Sequence, residues 1–376
     1  MTPPVRLLLW HWGRRGGGPR YTLELARALK HQDNVEVYLS VSRQCEIADE
    51  FHALDLPTLW IDTYTSWLSC LLRSIGLPVL AWRMGRYIAA NRIDVIDSTM
   101  PHLWSRLLLP ALRKSGARIV YTVHDATRHP GEGGPLTDWF YTPPPGADAY
   151  IALTDFVAGR MSAAGIPADR IAVVPHGVFT FRQAGKGRTL DPGRPMRLLF
   201  FGRILPYKGL DRLLAACRIL HAEGHSLTLH IAGAGDLTPY DELIAGLPGT
   251  TVNQGWIAES HIPAILDQAD IVVLPYTEAS QSGVAPTAFA MGIPVVVTPV
   301  GGLTEQVANG ADGLVSRDTS PEAIADALRQ LLDNPALVAH LSTGALRTAS
   351  EKLSWNNIAR KIGQLCQHLV RHDPGA

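Results

Sequence analysis

The chain contains 376 residues, which is more than one hydrophobic core usually organises, and its length therefore predicts two domains. Hydrophobic residues make up 46% of the sequence, and 34 Lys and Arg residues balance 34 Asp and Glu residues, as is typical of a soluble globular protein. Nucleic-acid-binding domains carry a strongly basic excess, so the even balance argues against that class of protein.

The cysteines and the N-terminal residues indicate the cellular compartment of the protein. Cys45, Cys70, Cys217 and Cys366 show no CxxC or ligand-like spacing, so we expect neither a metal site nor a disulfide framework. The first residues lack the apolar region and cleavage site of a signal peptide, and no apolar run has the length of a membrane span. We therefore expect a cytoplasmic protein.

Strand-like and helix-like segments alternate through the first half of the chain. Val5 to Trp10 has the pattern of a strand, and Tyr21 to Lys30 has the helical spacing of apolar residues. Gly16, Gly17 and Gly18, between them, permit the backbone to approach a ligand closely at the start of the helix. Their spacing is not the dinucleotide-binding fingerprint, and simple loop flexibility is the alternative. Further strands are predicted at 35–41, 94–97, 118–125, 150–156 and 170–178.

The segment from Thr63 to Ile93 contains no acidic residue but carries four arginines among aromatic and leucine side chains. Residues 1–187 as a whole hold 20 Lys and Arg against 16 Asp and Glu, so this half of the chain is slightly basic. A basic, amphipathic segment with aromatic residues can lie on an anionic bilayer. A helix that packs in the core and exposes a basic face is the alternative, and the sequence favours it slightly.

A polar stretch from Thr180 to Met196, rich in Gly and Arg, interrupts the pattern and predicts a linker. Alternation resumes beyond it, with strands predicted at 197–202, 226–233, 271–275 and 295–299 and around Thr251. This pattern predicts an α/β protein with two doubly wound, Rossmann-like parallel sheets, in domains 1–187 and 188–352, that face each other across a cleft. Ligands of such domains bind at the carboxyl ends of the strands.

The stretch from Ile271 to Gly302 combines two buried-looking strands with a short helix between them. We predict that Ser282 caps this helix, which would run from Val284 to Met291 and end at Gly292. The N–H groups at its start, near Gly283, suit an anion, and phosphate is the anion to expect there. An ordinary βαβ unit with a flexible loop is the alternative.

Two cations and two glycines follow neighbouring strands of the second half. Arg203 and Lys208 are predicted at the carboxyl edge of the sheet, where a bidentate guanidinium and a mobile ammonium suit a diphosphate. Solvated surface charges are the alternative. Gly233 and Gly235 can admit a nucleotide base or ribose, although an isolated GxG pattern is weak evidence.

Titratable residues at strand ends complete the set of candidates. His124 and Asp125 end a strand of the N-terminal half, where they would face the expected ligand crevice. Glu278 is a second carboxylate near that crevice, and a pair of carboxylates is also what a glycoside hydrolase requires. Weaker candidates lie in the loop after His124: Arg128, His129, Glu132 and Asp138.

Taken in order, these motifs resemble those of retaining nucleotide-sugar glycosyltransferases of the GT-B fold, specifically glycosyltransferase family 4. The resemblance extends over most of the chain and rests on the glycine loop followed by YTVHD, PHGV, FFGRILPYKGLDRLL, HIAGAG, NQGW, GIPVVVTPVGGLTEQV and KLSWNNIARKI. It implies that Gly16–Gly18 lie between donor and acceptor. It also implies that the last helix, within 353–376, crosses back to pack on the N-terminal domain.

The resemblance assigns the donor diphosphate to particular residues. Arg203 and Lys208 match the pair that neutralises its charge, and the amides of Gly283 and Val284 match the loop that approaches the phosphates and the sugar. His124 matches a histidine near the donor sugar. On this basis no metal ion and no cofactor is required.

The chain departs from the family at two positions. The family often carries two glutamates eight positions apart, where this chain has Ala279 and Thr287, and Glu278 lies one position early. The second glutamate usually holds the nucleotide ribose. Thr287 would therefore have to hold it through a hydroxyl group.

The resemblance implies transfer of a hexose from a nucleoside diphosphate sugar to a hydroxyl acceptor, with retention at the anomeric carbon. The expected acceptor is a saccharide that is lipid-linked, as in bacterial exopolysaccharide assembly, and the enzyme is expected to bind peripherally at the inner face of an anionic membrane. Two alternatives stay open: a nucleotide-sugar epimerase on the same fold and a non-catalytic nucleotide-sugar-binding protein. An NAD-dependent dehydrogenase ranks lower because the phosphate-binding fingerprint is absent.

Overall fold

The structure is a computed structural model that describes residues 3–125, 142–144, 146–179, 187–191 and 193–371. The chain forms two compact units, each built on one parallel sheet. The first unit contains the described residues up to Pro175 and again from Trp355, and the second runs from His176 to Ser354. The prediction of two doubly wound parallel sheets is confirmed. The chain enters the second unit at His176, before the polar stretch predicted as the linker.

The sheet of the first unit has the strand order β3-β2-β1-β4-β5-β6-β7, and every neighbouring pair is parallel. Its strands are β1 (Val5–His11), β2 (Val35–Ser42), β3 (Thr58–Ile61), β4 (Val95–Ser98), β5 (Arg118–Val123), β6 (Ala149–Ala152) and β7 (Ile171–Val173). The order reverses between β1 and β4. In sheets of this kind, a crevice for ligands opens at the carboxyl ends of the strands beside that reversal.

Helices connect these strands: α1 (Gly17–Leu29), α2 (Ala48–His52), α3 (Trp67–Ser74), α4 (Leu77–Ala90), α5 (Leu103–Leu112) and α6 (Asp155–Ala163). The prediction placed the start of α1 at Tyr21, four residues too late. Gly16 turns the chain with a φ of 88°, and Pro19, in the first turn, favours helical dihedral angles without losing a needed N–H. Gly17 and Gly18 are therefore helical residues.

Two predicted strands of this unit are shorter in the structure. The strand predicted at 150–156 ends at Ala152 because the Thr154 hydroxyl accepts a hydrogen bond from the Val157 N–H and starts α6. The strand predicted at 170–178 is β7, of only three residues, and the chain beyond Val173 is irregular.

The sheet of the second unit has the order β10-β9-β8-β11-β12-β13. Its strands are β8 (Met196–Phe201), β9 (Leu227–Gly233), β10 (Thr250–Gln254), β11 (Ile271–Leu274), β12 (Val295–Val297) and β13 (Gly313–Val315). Its helices are α7 (Leu210–Ala222), α8 (Asp241–Ala245), α9 (Ile262–Asp267), α10 (Val284–Ala290), α11 (Leu303–Gln306), α12 (Pro321–Asp333) and α13 (Pro335–Glu351). Here the order reverses between β8 and β11.

The central strands of the second sheet are covered on both faces, which explains the apolar runs in β8 and β11. Leu198 and Phe200 of β8 belong to the apolar cluster on one face, whereas Leu199 belongs to the cluster on the other. In β11, Val273 belongs to the first of these clusters and its neighbour Val272 to the second. Successive side chains of a strand point to opposite faces, so a strand buried on both sides needs an apolar residue at every position.

The last helix, α14 (Trp355–Arg371), packs against α1 and β1 of the first unit. Ile358, Ile362 and Cys366 are buried at four-residue spacing and form its apolar face. Gly363, on this helix, lies against Asn34 and Val35, where a side chain would be crowded. Among the described residues, no helix combines the length and hydropathy that crossing a bilayer requires.

Candidate functional site

The loop after β8 carries Arg203 at the carboxyl edge of the second sheet. Gly202, before it, has a φ of 123°, and its N–H donates to the Ala232 carbonyl over 3.0 Å. The Ile204 N–H, after it, donates to the Ala234 carbonyl over 2.7 Å. The backbone on both sides of Arg203 is thus tied to the segment that follows β9, while the Arg203 side chain itself is exposed.

Gly233 and Gly235 have a structural explanation in this arrangement. Their φ angles are 151° and 155°, and a Cβ on either residue would overlap the backbone carbonyl oxygen of Gly202 or Ile204. The space beside both glycines is filled by the backbone of the chain itself. Their close approach to a nucleotide, predicted from the GxG pattern, has no support in these contacts.

Lys208 ends a single 3-10 turn that spans Pro206–Lys208. Its Nζ lies 3.8 Å from the ring centroid of Tyr276, just beyond the end of β11. The Thr277 N–H donates to the Tyr207 carbonyl over 2.8 Å, and Gly209 approaches the Pro275 carbonyl so closely that a side chain would overlap it. These contacts fix Lys208 to the loop that leads from β11 into α10.

Gln306 and Ser282 order the start of α10. The Gln306 amide oxygen accepts from the Ser282 N–H over 2.7 Å, and its amide nitrogen donates to the Ser282 carbonyl over 3.0 Å. The Ser282 hydroxyl accepts from the Val284 N–H, as predicted for a cap, although the N-cap position itself is Gly283. Among the described residues, the N–H groups of Gly283 and Ala285 have no hydrogen-bond partner, so they remain able to bind an anion.

The start of α10 lies beside the other two elements of this edge. A Cβ built on Gly202 would be 3.9 Å from Cγ2 of Val284, which brings the helix start next to the loop that carries Arg203. His176 lies on the other side, because its Nε2 would be 3.5 Å from a Cβ on Gly283. His176 is buried, and it was missed as an individual candidate although the PHGV motif contains it.

Thr287 and Ala279 occupy the positions at which the family often has glutamates. The Thr287 hydroxyl donates to the Gly283 carbonyl over 2.7 Å, and its side chain is only 4% exposed. Ala279 is buried in the core. The proton of the Thr287 hydroxyl is therefore used within α10, whereas Glu278, one residue before Ala279, is partly exposed.

At the carboxyl edge of the first sheet, His124 follows β5. Its Nε2 lies 2.9 Å from the Thr99 carbonyl oxygen, which can only accept, so Nε2 carries the proton in the neutral ring. Burial lowers the pKa of His124 and keeps the ring neutral. The Thr99 hydroxyl in turn meets the Thr22 hydroxyl at 2.7 Å, and Thr22 donates to the Gly18 carbonyl. This chain of contacts links His124 to Gly18, in the first turn of α1.

His11 is a residue of the same edge that the sequence analysis missed. It ends β1 as His124 follows β5, so the strand-end rule that selected His124 would also have selected it. The ring lies against Gly13, and a Cβ on Gly18 would be 2.7 Å from its Cε1. Burial, with His102 and His124 nearby, lowers the pKa of His11 to about 3. Burial also lowers the pKa of His102 to about 3.

Asp97, on β4, is a fully buried carboxyl group of the same sheet. Its Oδ1 accepts from the Thr122 hydroxyl over 3.0 Å, whereas Oδ2 is buried without a partner among the described residues. Burial raises the pKa of Asp97 to about 7. The weaker candidates Arg128, His129, Glu132 and Asp138 lie outside the described residues.

Comparisons with known proteins find similarity to glycosyltransferases in both halves of the chain. Residues 15–181 match the family model "Glycosyltransferase Family 4", and residues 195–334 match "Glycosyl transferases group 1". The fold is shared with Anabaena Alr3699/HepE, solved in complex with UDP-glucose, at a TM-score of 0.73 and 16% identity over 97% of this chain and 100% of that one. Together with the two parallel sheets, these findings support a GT-B glycosyltransferase.

Two curated relatives are similar over part of their length. "Uncharacterized glycosyltransferase MJ1607" of Methanocaldococcus jannaschii is 33% identical over 44% of this chain and 43% of its own. "Putative colanic acid biosynthesis glycosyltransferase WcaL" of Salmonella typhimurium is 28% identical over 58% of this chain and 56% of its own. The chain thus spans about half the length of these relatives.

Proposed function

We propose that the protein transfers a hexose from a nucleoside diphosphate sugar to a hydroxyl acceptor, with retention at the anomeric carbon. The observation that carries the proposal is the assembly of Arg203, Lys208 and the start of α10 at one edge of the second sheet. The similarity of the fold to Alr3699/HepE, whose structure contains UDP-glucose, supports a nucleotide sugar as the donor.

The charge of this edge suits a departing diphosphate. When the bond between the anomeric carbon and the diphosphate oxygen breaks, negative charge grows on that oxygen. Arg203 can bind phosphate oxygens through two N–H groups, and Lys208 adds a point charge held over the Tyr276 ring. The N–H groups of Gly283 and Ala285 add fixed dipoles. Donors that are already in place stabilise such charge without a cost of reorganisation at the moment of reaction.

The acceptor hydroxyl attacks the anomeric carbon from the face that the diphosphate leaves. Its oxygen forms the new glycosidic bond, and its proton passes to the departing phosphate oxygen. Glu278, partly exposed in the loop before α10, remains a second polar candidate at this edge. In the neutral ring of His124, Nε2 donates to the Thr99 carbonyl, so it is through Nδ1, as an acceptor, that His124 would orient a sugar hydroxyl.

The acceptor we propose is a lipid-linked saccharide used in polysaccharide assembly, by an enzyme in peripheral contact with the inner face of an anionic membrane. Two observations support it: the similarity to WcaL, whose name refers to colanic acid biosynthesis, and the slightly basic charge of residues 1–187.

A thermal-shift panel tests the donor site. UDP, GDP, ADP and their hexose conjugates are added to the wild type, Arg203→Ala, Lys208→Ala and a control, Arg218→Ala, which alters an exposed arginine of α7. A ligand at 100 times its Kd stabilises the folded state by about 2.7 kcal/mol, so one nucleotide family should raise Tm by several degrees. We expect this rise in the wild type and the control and its loss in both site variants. Equal shifts in all four proteins would contradict the assignment of the donor site.

Turnover then separates transfer from the two alternatives. With donor and acceptor present, we expect a product whose anomeric configuration, read by proton NMR, is that of the donor. Conversion of the donor without any acceptor would instead indicate an epimerase. Binding of the donor without turnover on any acceptor would indicate a non-catalytic binding protein.

A further inference from the structure

Helices α3 and α4 expose an unusual amount of apolar surface. Seven of the twelve exposed large hydrophobic side chains in the described chain lie within sixteen residues: Trp67, Leu68, Leu71, Leu72, Ile75, Val79 and Trp82. We name these seven side chains the α3–α4 apolar face. Each of them is more than half exposed, and Ile75 reaches 79%. A contiguous run of such side chains indicates contact with another surface, whereas single exposed hydrophobic residues do not.

The opposite side of the two helices is the one that packs in the core. Leu80, Met84 and Ile88 of α4 are buried at four-residue spacing, and Cys70 of α3 is buried as well. At the start of α3, the Ser66 hydroxyl accepts from the Ser69 N–H, which closes a capping box. Both helices are therefore firmly folded. The α3–α4 apolar face is separate from the side of the helices that packs in the core. The core-packing alternative is right for this side of the helices. It does not account for Trp67, Leu71, Leu72 and Trp82, which are exposed.

The charged side chains of α3 and α4 are all positive. Arg73, Arg83 and Arg86 are exposed on the same two helices, and the sequence has no acidic residue from Thr63 to Ile93. The Arg86 guanidinium lies 4.8 Å from the ring centroid of Trp82, so charge and apolar surface are in direct contact. A partner must therefore combine an apolar layer with negative charge at its boundary.

We propose that the α3–α4 apolar face inserts into the interfacial layer of an anionic lipid bilayer. A bilayer offers hydrocarbon below a layer of negative phosphates, and amphipathic helices lie in it with their apolar face buried about 5–10 Å. Tryptophan is enriched at that depth because its ring is apolar and its N–H is polar. A two-fold contact with a second copy would instead bring the same positively charged surface of both copies together, where like charges repel.

The face adjoins the carboxyl edge of the first sheet. The Tyr64 ring, three residues before α3, lies 5.4 Å from the His102 ring and 5.3 Å from that of Trp104. The Arg14 guanidinium donates to the Thr65 carbonyl over 3.4 Å, which ties the start of α3 to the loop after β1. A bilayer on this face would lie next to the edge that contains His11 and His102. The proposed function includes peripheral contact with an anionic membrane, and this inference rests on it in naming the surface that makes the contact. Binding of this face to a bilayer can nevertheless be measured without glycosyl transfer.

Vesicle flotation of the full chain tests the proposal. Vesicles of phosphatidylcholine with 30% phosphatidylglycerol are compared with phosphatidylcholine alone, and we expect the protein to float with the anionic vesicles. One variant removes the apolar contact, Leu68→Ser with Leu72→Ser and Ile75→Ser, and another reverses the charge, Arg73→Glu with Arg83→Glu and Arg86→Glu. Each arginine near an anionic surface contributes about a fivefold factor in partitioning, so reversing three should lower binding at least on the order of 100-fold.

A matched control distinguishes this face from exposed hydrophobic residues in general. Val252 and Trp256, in the second unit, are 43% and 50% exposed, and Val252→Ser with Trp256→Ser should leave flotation within about twofold of the wild type. All variants alter exposed side chains, so their Tm should equal that of the wild type within about 2 °C. Equal flotation of the wild type and both α3–α4 variants would overturn the proposal.

Two further measurements make the result independent of the donor site. Brominated lipids should quench the fluorescence of the wild type in vesicles, and Trp67→Ser with Trp82→Ser should lose most of that quenching. Light scattering without lipid should show no change in mass when the apolar variant is compared with the wild type. A dimer that dissociates in this variant, without flotation of the wild type, would favour self-association and refute the bilayer. The nucleotide thermal shift should be the same in all these variants, so each proposal can fail alone.

Discussion

The carboxyl edges of the two sheets differ in charge although their folds are alike. In the second unit, Arg203 and Lys208 lie at the edge together with the start of α10, and backbone contacts hold all three in place. In the first unit, buried imidazoles lie at the same edge, and burial keeps His11 and His124 neutral.

Under the proposed function, this difference would give the two edges different roles. Fixed positive charge stabilises an anion whose charge grows during reaction, which is what a departing diphosphate needs. Neutral imidazoles hydrogen-bond hydroxyl groups without attracting phosphate, which is suited to sugars. The four predictions below test this comparison, from the largest expected effect to the smallest.

The largest effect should come from the backbone that shapes the charged edge. Gly233→Ala would place a Cβ on the Gly202 carbonyl oxygen at a φ of 151°, so we expect the free energy of unfolding to fall by at least about 4 kcal/mol. Chemical denaturation measures this loss. Gly224→Ala is the control, because Gly224 also has a positive φ, 88°, but no atom lies within 4 Å of its Cβ position. If the free energy of unfolding fell equally in both variants, the close approach of Gly233 to the Gly202 carbonyl would not be the cause.

The charges of this edge should affect turnover rather than folding. Arg203→Ala and Lys208→Ala should each lower kcat/KM by about 100-fold to 1000-fold, because each removes a preorganised group that stabilises the departing diphosphate. Arg218→Ala should leave kcat/KM unchanged. Steady-state kinetics with the donor found in the thermal-shift panel provide the measurement. If kcat/KM fell by no more than about twofold in both variants, Arg203 and Lys208 would not contribute to catalysis.

Buried titratable groups should give the neutral edge a distinctive pH dependence of stability. His11 and His102 stay neutral in the folded chain down to about pH 3 but bind protons near pH 6.5 on unfolding, so they make stability rise with pH between these values. Asp97 acts in the opposite direction, because the folded chain keeps its proton up to about pH 7 and the unfolded chain loses it near pH 3.8.

Asp97→Asn removes the opposing contribution. Between pH 5 and 6, the free energy of unfolding should therefore rise about 1.4 kcal/mol per pH unit more steeply in this variant than in the wild type. Urea titrations at the two pH values measure the slope, and Asp33→Asn, which alters an exposed carboxylate of the same unit, is the control. Identical slopes in all three proteins would mean that Asp97 is not protonated in the folded state.

The smallest effect concerns Thr287. Thr287→Val removes the hydrogen bond to the Gly283 carbonyl and should cost about 1 kcal/mol of stability. Because that bond uses the hydroxyl proton within α10, the Kd of the nucleotide should change less than about twofold, and Thr287→Ser should behave as the wild type does. Isothermal titration calorimetry gives the Kd. A loss of tenfold or more in Thr287→Val alone would show that the hydroxyl holds the ribose after all.

Much of this edge could be predicted from the sequence. Arg203 and Lys208 follow a strand that is apolar from Leu198 to Phe201, and the carboxyl ends of parallel strands lie at the same edge of a sheet. Gly233 and Gly235 were identified as close-approach glycines, but the approaching group is the backbone of Gly202 and Ile204. A φ requirement can be inferred from glycine, whereas the identity of the neighbour depends on which loops pair beyond the ends of the strands.

The sequence by itself determined the two parallel sheets, because β-branched runs such as IVVL and VVV, separated by helical periods, can only be buried on both faces. The tertiary structure decided which apolar surfaces are covered. Met84 and Trp82 are both apolar residues of α4, and only the packing of that helix on the sheet buries the first and exposes the second. Periodicity shows where the faces of a helix lie, but a face is buried or exposed according to residues that are distant in sequence.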